Sequence, residues 1–454
     1  MRNILAHIRK TESETKKEIC IGKIHGSTIF EQILDTTGTY KYAIYEEMED
    51  NTWQFDIRLG YEYFMPLQKT PLTHPPPPTE YESEEQLYNA VKDYIQKHLD
   101  LVNPLGYDIL AAFVLKTWIE ELFDFTPYIG FFGREAVGKS RALEILKEVC
   151  FRSWFTTGIT TATLFRLVEK FHPTLLIDES EFLTSEEKRE TIGLINAGQR
   201  RGVMIPRMRE DSDEADFFSV YGSKCISGTE QLKATTTSRM IVFTMTKNIK
   251  PVPRTLDKKE SAKLRGQLLM WRFKTIAKLK DSQSPSELKA TTEFKELEPL
   301  SGRTFELFYP LYYSAPATAR PNILEFAKDL EEIKLRAEKT ELASMVFEAI
   351  LNLKANASKG ILLLKDIAGY VNADQPPQYW IPEKTIARKV RQMGLETTRT
   401  NRGTAILLND KIIERLKLDP RYSTDLLNFC EPSEAVNEVK QKAGVSPWPT
   451  GQDK

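Results

Sequence analysis

Residues 133–140 read GREAVGKS, so two glycines, a lysine and a serine stand in the spacing G-x-x-x-x-G-K-S between the apolar YIGFF and the helix-periodic SRALEILKEV. The chemistry suited to that spacing is a grip on a polyphosphate. Gly133 and Gly138 let backbone N–H groups turn inward on phosphate oxygens, Lys139 reaches the β and γ phosphates, and Ser140 offers its hydroxyl to Mg2+. Arg134, Glu135, Ala136, Val137 and Arg141 fill out the loop expected to contact ATP.

One strand and one helix further on, TLLIDES at 174–180 ends an apolar run in two carboxylates. Asp178 is placed to hold Mg2+ through water, and Glu179 to orient and deprotonate an attacking water. KCISGTEQ at 224–231 is a further apolar strand with a polar end, where Ser227 or Thr229 can sense a γ-phosphate; spacing does not choose between them. Arg239, in TTTSRMIVFTM, precedes the last apolar strand, on the side of such a sheet away from the nucleotide. From there it would reach a neighbouring subunit's γ-phosphate as a finger in trans, which implies a ring. Arg303 follows Ser301 and Gly302 at a helix start and is the candidate lid arginine for its own subunit's nucleotide, with Arg265 the second candidate.

The elements that must position these groups alternate in type. Strands YIGFF, SWFTTG, TLLIDE, KCISGT and MIVFTM are interleaved with helical ATLFRLVEKF and SEEKRETIGLINAG, the order of a mostly parallel sheet with helices on both faces. The fold class expected is α/β, a P-loop core with a small β-rich N-terminal domain and a C-terminal winged helix-turn-helix. The expected boundaries are 1–72 for the β-rich unit, 73–84 for a Pro-rich linker containing THPPPPTE, and 85–312 for the ATPase with helical lead-in and lid. Residues 313–337 form a linker or helix, 338–430 the winged helix, and 431–454 a polar tail expected to be disordered.

At 454 residues the chain exceeds one ordinary core. Lys+Arg 63 against Asp+Glu 64 makes any nucleic-acid surface a local patch. The start MRNILAHIRKTESETKKE lacks a signal-peptide apolar core, and YDILAAFVLKTWIEELF is broken by Lys116, Glu120 and Glu121, so no membrane partner is expected. Four dispersed cysteines and five unpaired histidines argue for a reducing, cytoplasmic setting without structural zinc. No metal-site cluster suggests a primase or nuclease centre in the N-terminal unit.

Through YDILAAFVLKTWIEELFDFTPYIGFFGREAVGKSRALEIL, ATLFRLVEKFHPTLLIDES, LINAGQRRG, YGSKCISGTEQL, TSRMIVF and SGRTFELFYPL, residues 105–312 resemble AAA+ ATPases of the superfamily 3 helicase type, especially those attached to phage, plasmid and archaeal-virus primases. The resemblance implies a six-membered ring hydrolysing ATP between subunits, with Lys139, Ser140, Asp178 and Glu179 from one and Arg239 from the next. It also places Arg303 at the second sensor, and allows a primase or other replication protein as partner.

In that family a hairpin in the place of RGVMIPRMREDSDEADFFSVYG enters the central pore and grips DNA phosphates. Arg207 and Arg209 stand on its rising strand, but the tip DSDEAD is acidic; either the flanking arginines make the contact or the ring does not thread DNA. Over 382–402, Lys384, Arg388, Lys389, Arg391, Arg399 and Arg402 face only Glu383 and Glu396, a net +4, and 384, 388 and 391 share one helix face suited to DNA. The function expected is an ATP-driven DNA helicase or translocase in replication of a virus, plasmid or integrated element. The alternatives are a protein-loading ATPase and an ATP-controlled DNA-binding regulator.

Overall fold

Five short apolar runs assemble into one parallel sheet because each is bounded by polar turns and followed by a segment of helical period. A computed structural model of the chain describes residues 18–178, 189–209, 213–280, 292–300, 302–339, 342–358, 360–373, 376–377 and 380–419. The chain divides into two units, Met1–Asp329 and Leu330–Lys454.

The first unit opens with β1 (Glu18–Ile19), β2 (Gly22–His25), β3 (Thr28–Leu34), β4 (Tyr40–Glu47), β5 (Trp53–Arg58) and β6 (Phe64–Met65). Strands β2 to β5 form an antiparallel meander, and β1 pairs with β6. Phe30, Tyr42, Ile44, Tyr61 and Phe64 fill its core. The Pro-rich run that follows is fastened down, because polyproline geometry leaves carbonyls free to accept bonds. Pro75 O accepts from Leu34 N at 3.0 Å, and flanking Thr73 and Thr79 donate to Ser153 O and Gly266 O at 2.9 and 3.1 Å. A buried ion pair joins the meander to the rest of the unit: Arg152 Nε donates to Glu31 Oε1 at 2.8 Å, and both residues are almost fully buried.

Helices α1 (Glu84–His98) and α2 (Gly106–Trp118) come next. Ser83 caps α1 by accepting from Gln86 N at 3.1 Å. Every residue of α2 is buried, including Asp108, which pairs with Lys92, and Lys116. Among the described residues no helix is long and apolar enough to cross a membrane.

The α/β core contains β7 (Tyr128–Phe132), α3 (Lys139–Val149), β8 (Trp154–Thr156), α4 (Thr161–Phe171), β9 (Leu175–Ile177), α5 (Arg189–Ala197), β10 (Met204–Met208), β11 (Ala215–Ser219), β12 (Lys224–Gly228), the one-turn α6 (Ala234–Thr237) and β13 (Met240–Thr244). The sheet order is β13-β7-β12-β9-β8, with all pairings parallel. Strands β7 and β12 are buried throughout, as central parallel strands are. Strands β10 and β11 form a separate antiparallel hairpin. Helices α7 (Lys258–Lys280), α8 (Gly302–Ser314) and α9 (Arg320–Lys339) follow, the last running across the division between units.

The second unit comprises α10 (Leu342–Leu353), β14 (Ile361–Leu363), α11 (Leu364–Val371), α12 (Glu383–Gln392), β15 (Glu396–Thr400), β16 (Gly403–Leu407) and α13 (Asp410–Lys417). Its antiparallel sheet has the order β14-β16-β15. Phe347, Ile350, Ile367, Ile386, Val390 and Ile406 pack between helices and sheet.

Candidate active site

Strand β7 ends at Phe132 and α3 begins at Lys139, so the six residues between must turn sharply at the carboxyl end of the sheet. Ala136 and Gly138 adopt left-handed φ values of 59° and 91°, which fold the backbone into a concavity of the kind that receives anions. Gly133 is required by proximity: a Cβ there would lie 2.3 Å from the Met245 carbonyl oxygen. Lys139 Nζ donates to the carbonyls of Gly133 and Arg134 at 2.6 and 2.9 Å, so the lysine lies over its own loop.

The cleft beside the loop has a volume of about 810 Å3 and is lined by Glu135, Ala136, Gly138, Lys139, Ser140, Arg141, Thr157, Asp178, Gly228 and Thr229. Three strand ends converge there. Asp178 follows β9 and is nearly buried. Ile226 pairs with Ile177, which brings Ser227 level with Asp178, and Ser227 Oγ donates to Asp178 Oδ1. This separates the two candidates the spacing left open: Ser227 is fully buried behind the carboxylate, whereas Thr229 lines the cleft. Thr157, at the end of β8, also lines it. Sequence reasoning overlooked Thr157; the only signal was the polar ending of SWFTTG. Glu179 lies outside the described residues.

The donor set fits a nucleotide with Mg2+. A left-handed concavity, a lysine, a hydroxyl and one carboxylate suit an ion that takes most ligands from phosphate and water. Among the described residues no group of three or more His, Cys, Asp or Glu could hold a metal independently.

Arg239 and Arg303 lie elsewhere. Arg239 immediately precedes β13, and its carbonyl accepts from Tyr128 N, at the amino end of β7. Five residues of strand, about 17 Å, separate that end from the phosphate loop. Arg303 Nη1 donates to Gln199 Oε1 at 2.7 Å, and Gln199 O accepts from Thr126 N, again before β7. Arg303, expected as a lid arginine for its own chain's nucleotide, is not among the residues that line the cleft. It stands near Arg239, on α8, which packs against α2. Arg265, the alternative, donates to the Glu148 carbonyl and does not line the cleft.

The amino end of the sheet also buries two lysines. Lys224 donates to Val220 O and Gly222 O at 3.0 and 2.9 Å, and burial pushes it down to about 7. Lys116 bonds Glu120, Thr126 and Ser223, and burial pushes it down to about 8.

The hairpin arginines are occupied. Arg207 pairs with Glu190 at 2.6 Å and lies over the Phe165 ring; Arg209 pairs with Glu214 and, at 2.7 Å, with Asp216. The outward side chains are Met204, Met208 and Phe217, which are 45%, 64% and 62% exposed. In the second unit the cations are disposed differently. Lys384, Arg388, Arg391, Arg399 and Arg402 are exposed and Lys389 half-buried, and among the described residues none is in an ion pair. Lys384, Arg391 and Arg399 line a groove of about 540 Å3 between α12 and the β15–β16 hairpin, with Glu383 as the sole carboxylate among its lining residues.

No protein-family profile and no curated protein sequence matches the chain. Among solved structures, similar ones include the active helicase Cch of SCCmec type IV, at 12% identity over 91% of this chain and 84% of that one, TM-score 0.40. JCV helicase with a bound thiazolopyridine acetamide compound matches at 17% identity over 52% of this chain and 67% of that one, TM-score 0.24. Drosophila ORC bound to DNA matches at 10% over 74% and 94%, TM-score 0.20. Likeness this distant does not bear on mechanism, which rests on the residues of the cleft.

Proposed function

We propose that this chain is an ATP-hydrolysing DNA helicase or translocase that works as a homo-oligomeric ring. One observation carries the reading: the phosphate loop, Ser140, Asp178 and Thr229 converge on one cleft, whereas Arg239 stands at the opposite end of the same strands. A site divided in this way is completed by a second copy. Lys139 and the loop N–H groups bind the β and γ phosphates, Ser140 and Asp178 would hold Mg2+, Thr229 faces the terminal phosphate, and Glu179 acts on water. Bound Mg2+ supplies neutralisation of phosphoryl charge. The second unit, read as a winged helix, docks on DNA through the groove of Lys384, Arg391 and Arg399, whose charges no protein carboxylate offsets in an ion pair among the described residues.

The test is unwinding of a forked duplex. ATP-dependent strand displacement that is lost in Glu179→Gln, with ATP still bound, supports the reading; hydrolysis without displacement overturns the helicase part. A second reading, an ATPase that remodels a protein partner, is favoured by the hairpin: its arginines are internally paired, and Met204, Met208 and Phe217 present an apolar face beside an acidic tip. Under that reading Phe217→Ala abolishes partner-stimulated hydrolysis and leaves DNA binding intact.

A further inference from the structure

The amino end of the sheet holds more than one guanidinium. Arg239 carries no ion pair among the described residues; its Nη1 donates to the Thr235 carbonyl, and its buried Nε has no hydrogen-bond partner. Arg303 is 42% exposed at its side chain and is held by Gln199 and by Glu306 at 2.7 and 2.6 Å. Gln199 is only 2% exposed, and while its Oε1 accepts from Arg303 its Nε2 has no partner. Buried amide donors are rarely left so, since an unmet donor costs about 1–3 kcal/mol. Burial, and then the neighbouring Arg303 guanidinium, lower the proton affinity of Arg239. Glu306 pairs with Arg303, while no carboxylate pairs with Arg239 among the described residues and the Gln199 amide stays unmet, a surplus of donors that suits a polyanion.

We propose that Arg303, positioned by Gln199, is a second cation that one copy presents with Arg239 to the terminal phosphate of the nucleotide held by the adjacent copy. The inference rests on the ring reading above and replaces the lid role in cis that the sequence position of Arg303 implied. Its physical basis is the polarity of the sheet. Tyr128, whose N–H bonds the Arg239 carbonyl, starts the strand whose far end carries the phosphate loop, and Thr126, whose N–H bonds the Gln199 carbonyl, lies just before it, so both arginines are anchored at the end of β7 opposite their own chain's loop. The bonds to Gln199 and Glu306 both hold the Arg303 guanidinium at Nη1, and a guanidinium fork is suited to a bidentate phosphate contact.

The test is complementation between inactive chains. Arg303→Ala should lower hydrolysis on the order of 10²-fold, the usual cost of removing one preorganised transition-state donor. It should leave binding of a fluorescent ATP analogue to dilute protein unchanged. Mixed with Lys139→Ala, which keeps both arginines but cannot bind nucleotide, it should regain hydrolysis, because some interfaces then pair an intact loop with an intact Arg303. A cis residue gives no recovery in that mixture, and that result overturns the inference. The parallel mixture of Arg239→Ala with Lys139→Ala separates the two levels. Recovery there without recovery for Arg303→Ala sinks the Arg303 role alone, and recovery in neither sinks the shared-site reading. Arg303→Lys, which keeps charge but not the planar fork, should regain part of the rate; a fully wild-type rate for Arg303→Ala would also refute the proposal.

Discussion

Ser227→Ala removes one hydroxyl from a fully buried position and leaves the β12 backbone pairings in place. The hydroxyl donates to Asp178 Oδ1, and a hydrogen bond to a charged acceptor contributes about 1.5–3 kcal/mol. If Asp178 holds Mg2+, the lost donor frees the carboxylate to rotate away from the ion, and that range corresponds to about 10- to 160-fold in affinity. Supporting groups around metal ligands typically contribute about 10- to 100-fold, so the two scales agree. The assay is the ATPase rate against free Mg2+, beside binding of a fluorescent ATP analogue in EDTA. The expected result is half-saturation at about 10- to 100-fold more Mg2+, nucleotide binding in EDTA within about twofold of wild type, and partial recovery in Ser227→Thr. An unshifted Mg2+ dependence in folded Ser227→Ala would refute the assignment of Asp178 to the metal. Weakened binding in EDTA alone would return Ser227 to the γ-phosphate.

Gly133→Ala should abolish ATP binding while the fold persists, because the new Cβ meets the Met245 carbonyl at 2.3 Å and the loop must move; equilibrium binding and a thermal melt check this. Arg152→Met should destabilise by about 3–5 kcal/mol by stranding buried Glu31, with most of the loss recovered in Glu31→Leu/Arg152→Met, measured by denaturant midpoints. Lys224 titrates at about 7 when folded and near 10.5 when unfolded, so above pH 7 the unfolded chain binds more protons and stability rises with pH. Buried tyrosines and cysteines oppose that trend at higher pH, so the contribution is read as the difference from Lys224→Met, which should show a weaker rise between pH 7 and 8.5. Replacing Lys384, Arg391 and Arg399 together should weaken DNA binding and flatten its dependence on log salt by up to about three, whereas Arg209→Ala should change neither; the measurement is a salt series of DNA affinities.

What could be read from the chain was local. The phosphate loop, its helix and the strand before Asp178 followed from spacing and periodicity, and the described elements fall where the alternation of YIGFF, SWFTTG, TLLIDE, KCISGT and MIVFTM put them. Lateral order was not legible. Nothing in the residues of β12 says that it lies between β7 and β9, yet that placement buries Ser227 against Asp178 and leaves Thr229 at the cleft. The end of the sheet at which Arg303 stands was not legible for a related reason: a helix-start arginine has the same local pattern whichever end of the sheet its helix packs on. The polyproline run reads as a spacer because its geometry is local, while the bonds that fasten it come from Leu34, Ser153 and Gly266, far away in sequence.

The two sets of arginines also separate a sequence count of charge from the charge a surface offers. Counted by residue, the hairpin and the 382–402 segment both carry cations. In the folded chain Arg207 and Arg209 are neutralised by Glu190, Glu214 and Asp216, so a phosphate would have to displace three carboxylates to reach them. Lys384, Arg391 and Arg399 meet no such competition among the described ion pairs. Counterion release favours the second surface, since only charges not already paired with protein gain by meeting a phosphate. Under the helicase reading the DNA surface is therefore expected at the C-terminal groove, whereas the hairpin, joined to β12 only a few residues before Ser227, presents an apolar face.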